Sequence, residues 1–154
     1  MSAVVRAVAA PLALLVPLQL LLGGFVAGSH AGLVCPAFPG CGTADGAWFP
    51  SFAGLLGLQV THRLVAWLLL GVAAATAIAS RGRRPALAVL GAVLLQASIG
   101  VANVLLRLPV EVTLLHTAGA AAVAWSTVWV HWDLWRAPVS AAAAAPAPSV
   151  ASSK

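Results

Sequence analysis

Two histidines stand out because each recurs with the same neighbours. His62 opens HRLVA (62–66) and His116 opens HTAGA (116–120), each followed four residues later by alanine near the start of an apolar run. The run before each carries a glutamine and, four residues on, a glycine: QLLLG (19–23) and QASIG (96–100). An imidazole is a good ligand for iron. Two imidazoles at one depth on opposing helices can bind the two faces of a single haem iron. A histidine near a helix end can also sit at a water boundary with its nitrogens hydrated. Ionisable groups within membrane spans are costly and usually functional, which favours the ligand reading.

The surrounding residues suit a flat macrocycle. Gly57 and Ala66 flank His62, and Gly119 and Ala120 follow His116, leaving room beside each ring. Arg63 and Arg107 lie toward the same end of their runs, where guanidinium groups can pair with haem propionates. Gln59, three residues before His62, shares nearly the same helix face. It is a candidate hydrogen-bond partner for the ligand or a contact to substrate. His131, in WVHWDLW, reads as an interfacial residue, and His30 in its loop is undecided. Gln19, Gln96 and Asn103 read as interhelical hydrogen-bond donors.

The elements that must position these residues are membrane helices. Of the 154 residues 62% are hydrophobic and 7% charged, with a mean hydropathy of +1.02. That charge is too sparse for a water-soluble surface. Four runs, at about 7–27, 55–79, 86–106 and 112–132, are long enough to cross a bilayer core, which needs ~20 apolar residues. No period-2 alternation of the kind in membrane β-barrels is present. The fold class is therefore an all-α membrane protein, a four-transmembrane-helix bundle occupying residues 1–136. The recurring Gln-Gly and His elements divide it into two parallel two-helix repeats about an axis along the membrane normal. Both histidines then fall roughly 8–12 Å inside the outer face, counting ~1.5 Å per residue.

Arg6, the Arg81, Arg83 and Arg84 loop, Arg136 and Lys154 lie on one side, whereas loop 28–54 has no lysine or arginine. The positive-inside bias puts both termini in the cytoplasm of a multi-pass cell-membrane protein. The eight basic residues are dispersed between apolar runs, so the net charge of +5 indicates no nucleic-acid partner. Residues 137–154, rich in alanine, proline and serine, read as a disordered cytoplasmic tail. The first run is long for a cleaved signal peptide and belongs to the repeat, so it is expected to be retained.

The outer loop contains the only two cysteines, Cys35 and Cys41, spaced C-x5-C. Its topology places them in an oxidising compartment, where a disulfide is expected. The pair can serve as a staple over the bundle or as a thiol–disulfide couple that exchanges electrons with a partner. Their spacing to His30 does not match a zinc motif.

The stretches GGFVAGSHAGLVCPAFPGCG, QVTHRLVA and QASIGVANVLLRLPVEVTLLHTAGA together resemble the haem A synthases of respiratory membranes, over roughly residues 19–125. Members of that family usually have eight spans in two four-helix halves, each half with a pair of haem-ligating histidines. One half handles the haem O substrate and the other keeps a b-type haem. The resemblance implies oxidation of a porphyrin methyl to the formyl group of haem A for terminal oxidases. It also implies that His62 and His116 are one axial pair binding haem b or haem O. Cys35 and Cys41 match a cysteine pair found in the first outer loop of some members. This chain has the length of one half, and half-size members are thought to self-associate, so a homo-oligomer is expected. Haem O synthase and oxidase assembly proteins are the further partners implied, besides haem and membrane lipid. The substrate half usually has Glu three residues before its first ligand histidine, where this chain has Gln59. A non-catalytic bis-histidine haem protein, carrying electrons or delivering haem, is the competing reading. A structural membrane subunit without cofactor is a third, against which the repeated elements argue.

Overall fold

A computed structural model describes residues 3–42 and 51–136. Among the described residues every regular element is helical: α1 (Ala3–Ala9), α2 (Leu12–Gly28), α3 (Gly54–Ala79), α4 (Arg84–Leu105) and α5 (Val110–Arg136), with one 3₁₀ turn at Ala31–Leu33. The tail 137–154 and loop residues 43–50, Asp45 among them, lie outside the described residues.

The four expected spans coincide with these helices. The first is divided in two at Ala10 and Pro11. Proline lacks an amide hydrogen, and its ring crowds the carbonyl four residues back, so α1 ends there and α2 starts afresh from Pro11. Pro17 is absorbed inside α2. Residues Ala3–Gly28 taken together, Gly54–Ala79 and Arg84–Leu105 are each long and apolar enough to cross a membrane. The expected span 112–132 lies within α5, a helix of 27 residues whose Thr, Ser, His and Asp make it less apolar. It packs as a full member of the bundle all the same.

Neighbouring helices are antiparallel and form a ring in the order α2, α3, α4, α5 and back to α2. That places α2 opposite α4 and α3 opposite α5. The apolar core fills the end of the bundle that includes the first residue of α4. It is built from Ala9, Leu12 and Val16, from Leu69, Ala73 and Ala77, from Ala86, Val89 and Val93, and from Val123, Val130 and Leu134. Many of these are alanine or valine, which lets backbones approach where lipid supplies no hydrophobic drive between helices. The faces turned away carry exposed Leu14, Leu21, Phe25, Leu68, Leu95, Leu115 and Trp125, the surface a hydrocarbon solvent accepts.

Two bonds tie the ends of this core together. Arg83, just before α4, makes a forked ion pair with Asp133 of α5, at 2.9 Å from Nε to Oδ2 and 2.9 Å from Nη2 to Oδ1. The hydrogen bonds and the carboxylate charge raise the Arg83 pKa above its ordinary value. Arg6 Nε donates to the Leu134 carbonyl at 3.1 Å.

Ala73 is completely buried against its neighbours. Ala73→Leu is expected to overpack that contact and cost about 1–3 kcal/mol. Leu68→Ala on the lipid face should change little. Reversible unfolding in detergent with increasing dodecyl sulfate measures both.

Candidate functional site

The other half of the bundle is polar. On α2, Gln19 Nε2 lies 3.4 Å from His62 Nε2 of α3. One turn along α2, a Cβ on Gly23 would come within 3.2 Å of the His62 ring. The second pair of helices repeats this arrangement. Gln96 Nε2 of α4 lies 3.5 Å from His116 Nε2 of α5 and donates to the His116 carbonyl at 2.8 Å. A Cβ on Gly100 would come within 2.9 Å of the His116 ring. Each glycine thus makes room for the imidazole that its glutamine contacts. Gly119 does the same for Gln96, whose amide occupies the space a Cβ would need.

These contacts show what the recurring QxxxG and His elements are for locally: each QxxxG helix is the seat of one histidine. His62 and His116 stand on α3 and α5, diagonal to each other in the ring. An amide nitrogen only donates, so in the Gln96 contact His116 Nε2 is the acceptor, and its lone pair is directed at that amide. Nδ1 of both histidines is buried with no hydrogen-bond partner among the described residues. A buried polar atom left unpaired calls for a physical reason. Two imidazoles, each seated against a glycine of the neighbouring helix, are a donor set whose chemistry fits a haem iron. Among the described residues no group of three or more His, Cys, Asp or Glu forms a separate metal cluster.

Over this end lies the outer loop. Cys35 and Cys41 form a disulfide, both residues are fully buried, and they pack with Val60. Arg63, next to His62, holds the loop in place. Its Nη1 donates to the carbonyls of Ala37 at 2.9 Å and Gly40 at 3.0 Å, and its Nη2 to that of Cys35 at 2.6 Å. Phe38 stacks on Trp67 of α3, with ring centroids 6.1 Å apart. Gln59 is buried, its Nε2 3.4 Å from the Gly32 carbonyl and its Oε1 unpartnered.

The structure therefore brings together Gln59, His62, Arg63, Cys35 and Cys41 on the α3 side, with His116 across the ring. Arg107 is not drawn into that group. It stands exposed on the turn between α4 and α5, with φ of 64°. Asn103 and Thr113 tie that turn, the hydroxyl donating to Asn103 Oδ1 at 3.0 Å. At the opposite end His131 stacks on Trp135 and is bonded at 2.8 Å to the Thr127 carbonyl within its own helix. The cage that Arg63 builds was not anticipated. Its signal was a loop with two cysteines, several glycines and prolines and no cation of its own, beside a helix whose only arginine is Arg63.

Two helical pairs, each seating one histidine against a glycine, define a repeat-built membrane bundle with an imidazole in each half. The chain belongs to the cytochrome oxidase assembly protein family COX15-CtaA, whose family model matches residues 1–128. It is 37% identical over 139 residues to the haem A synthase of Methylobacterium nodulans, a match covering 77% of this chain and 38% of that protein. It is 35% identical to the haem A synthase of Caulobacter vibrioides, over 72% of this chain and 38% of the relative. The haem A synthase of Shewanella oneidensis is 29% identical, over 76% and 43% respectively. The chain thus spans about two fifths of the length of these relatives.

Arg63→Ala would leave three loop carbonyls without their donor. Charged hydrogen bonds of this kind contribute about 1.5–3 kcal/mol each. The variant is expected to expose the disulfide, with Cys35 and Cys41 reduced and alkylated at least about tenfold faster under a mild phosphine. The rate of thiol labelling by mass spectrometry is the check.

Proposed function

We propose that this chain is a haem A synthase-type membrane oxidoreductase that holds a haem between His62 and His116. In this reading haem O is the substrate, its porphyrin methyl is oxidised to the formyl of haem A, and the product supplies a terminal oxidase. The observation that carries it is the paired seat: the same glutamine, glycine and histidine contact, built twice, on helices that face each other across the ring. Membership of the family and the haem A synthase relatives support the lineage.

The chain's own residues would do the following. His62 and His116 would hold the haem through their imidazoles, with Gln19 and Gln96 giving up their contacts to Nε2. Gly23 and Gly100 keep the rings seated at one depth. Arg63 spends three N–H donors on the loop and keeps others beside His62 for a propionate, while Arg107 offers a second guanidinium at the same end. The disulfide loop covers the α3 side and keeps water from it. When bound, the haem iron supplies the redox chemistry, and the protein supplies ligation, orientation and a dry pocket. The chain would act as a homo-oligomer in the cell membrane with both termini cytoplasmic, receiving substrate from a haem O synthase and passing product to oxidase assembly proteins.

One observation favours a second reading, a non-catalytic b-type haem protein that carries electrons or delivers haem. Gln59 is a buried amide where the family's substrate half has a carboxylate, and an amide does not exchange a proton near neutral pH.

Protein co-expressed with a haem O source, purified and extracted for chromatography and mass spectrometry separates the readings. Haem A or hydroxylated haem O above a vector control supports the synthase, haem b alone supports the carrier, and no haem returns both histidines to structure. His62→Ala and His116→Ala are each expected to lose most bound haem, whereas His131→Ala retains it. Absorbance in the Soret band per protein reports this, and normal retention by both ligand variants defeats the pair. Gln59→Glu restores a carboxylate and is expected to raise the oxidised haem fraction several-fold if its absence limits turnover.

A further inference from the structure

We propose that the end of the bundle carrying Arg81, Arg83 and Arg84 binds an anionic phospholipid, taking its phosphate at Arg84 and its upper acyl chain against Trp129. This site lies at the opposite end from His62 and His116 and does not depend on the haem reading.

An open groove, a shallow cavity of about 310 Å³, lies on the surface between the start of α4 and the last turns of α5, lined by Arg83, Arg84, Pro85, Trp129 and Asp133. Its charges do not cancel. Arg83 and Asp133 neutralise each other in their forked pair. Arg84 lines the same cavity, is exposed, and makes no ion pair or side-chain hydrogen bond among the described residues. Arg81, exposed in the same loop, adds a further cation. The cavity therefore presents guanidinium in excess, in a form that receives phosphate oxygens through paired N–H donors.

What distinguishes a lipid from a free anion is the wall below the cation. Trp129 is 43% exposed and Trp125, one turn deeper along α5, is 75% exposed. Trp129 lines the cavity, and Trp125 belongs to the exposed apolar face below it. Arg84 is the first residue of a helix that spans the membrane, so the edge falls at headgroup level. Cation at the boundary, aromatic ring below it and aliphatic surface below that is the profile of a phospholipid with a charged head. A soluble phosphate would use only the first of these. Basic pockets between membrane helices bind anionic headgroups by this same chemistry.

The test uses the full chain in mild detergent with equimolar phosphatidylglycerol and phosphatidylcholine, the bound lipid being counted by native mass spectrometry. Phosphatidylglycerol is expected to be retained over phosphatidylcholine by about fivefold, the effect of one favourably placed arginine. Arg84→Gln, at an exposed and unpaired position, should bring the ratio near one. Trp129→Ala should weaken retention of both lipids. Asp133→Asn releases Arg83 and should raise the preference, the opposite sign to that of a merely structural ion pair. Equal retention of the two lipids by the wild type, or an undiminished preference in Arg84→Gln, overturns the proposal. Displacement of phosphatidylglycerol by excess inorganic phosphate overturns the lipid assignment in favour of a phosphate-ion site.

Discussion

Everything in this bundle depends on polar groups finding partners inside the protein. Within a bilayer there is no water to satisfy an amide, an imidazole or a guanidinium, so each must be answered by another helix or by backbone. Gln19 answers His62, Gln96 answers His116 and its carbonyl, and Thr113 answers Asn103. Each contact joins helices consecutive in the fold and fixes their register to within a turn, since a shift would take the amide away from the ring. The glycine one turn after each glutamine then sets how closely the helices approach. Register and separation, the two variables of helix packing, are thus both set by one three-residue device used twice.

That device also divides the bundle into two halves with different tasks. At one end alanine and valine from all the packed helices close into a dry core, with the Arg83–Asp133 pair at its rim. At the other end the interior holds imidazole and carboxamide groups, several with an atom unpaired. Unpaired buried polar atoms cost stability. The apolar end can offset that cost because the buried hydroxyls of Thr76, Ser80 and Ser126 there bond to carbonyls of their own helices and leave the packing between helices to alanine, valine and leucine. Ligand chemistry and structural cohesion are in this way kept about half a membrane apart along the same four helices.

Much of this was legible in the sequence because membrane helices follow from length and apolarity alone. The starts and ends of α3 and α4 fall within two residues of the expected spans 55–79 and 86–106. The repeat was legible because QLLLG and QASIG, HRLVA and HTAGA preserve side-chain types at fixed spacing. Other features depended on the folded chain. Both Pro11 and Pro17 lie in the first apolar run, yet only Pro11 divides it, and the residue type alone does not distinguish the two positions. The ring contacts of the glutamines needed the helices' mutual rotation, so they read beforehand only as general interhelical donors. The partner of Asp133 lies 50 residues away, and Arg63 bonds to carbonyls, which carry no sequence identity to read.

The two repeats match in their walls but not in their coverings. After α2 the chain folds into a disulfide-closed segment that Arg63 fastens over the α3 side. After α4 it makes only a tight turn through Arg107 and Leu108, both in the left-handed region, before α5 begins. A flat guest lodged between His62 and His116 would therefore meet unlike ceilings on its two faces. The pseudo-twofold that makes the seats equivalent is broken at the roof, and with it the equivalence of the two ways such a guest could be turned over.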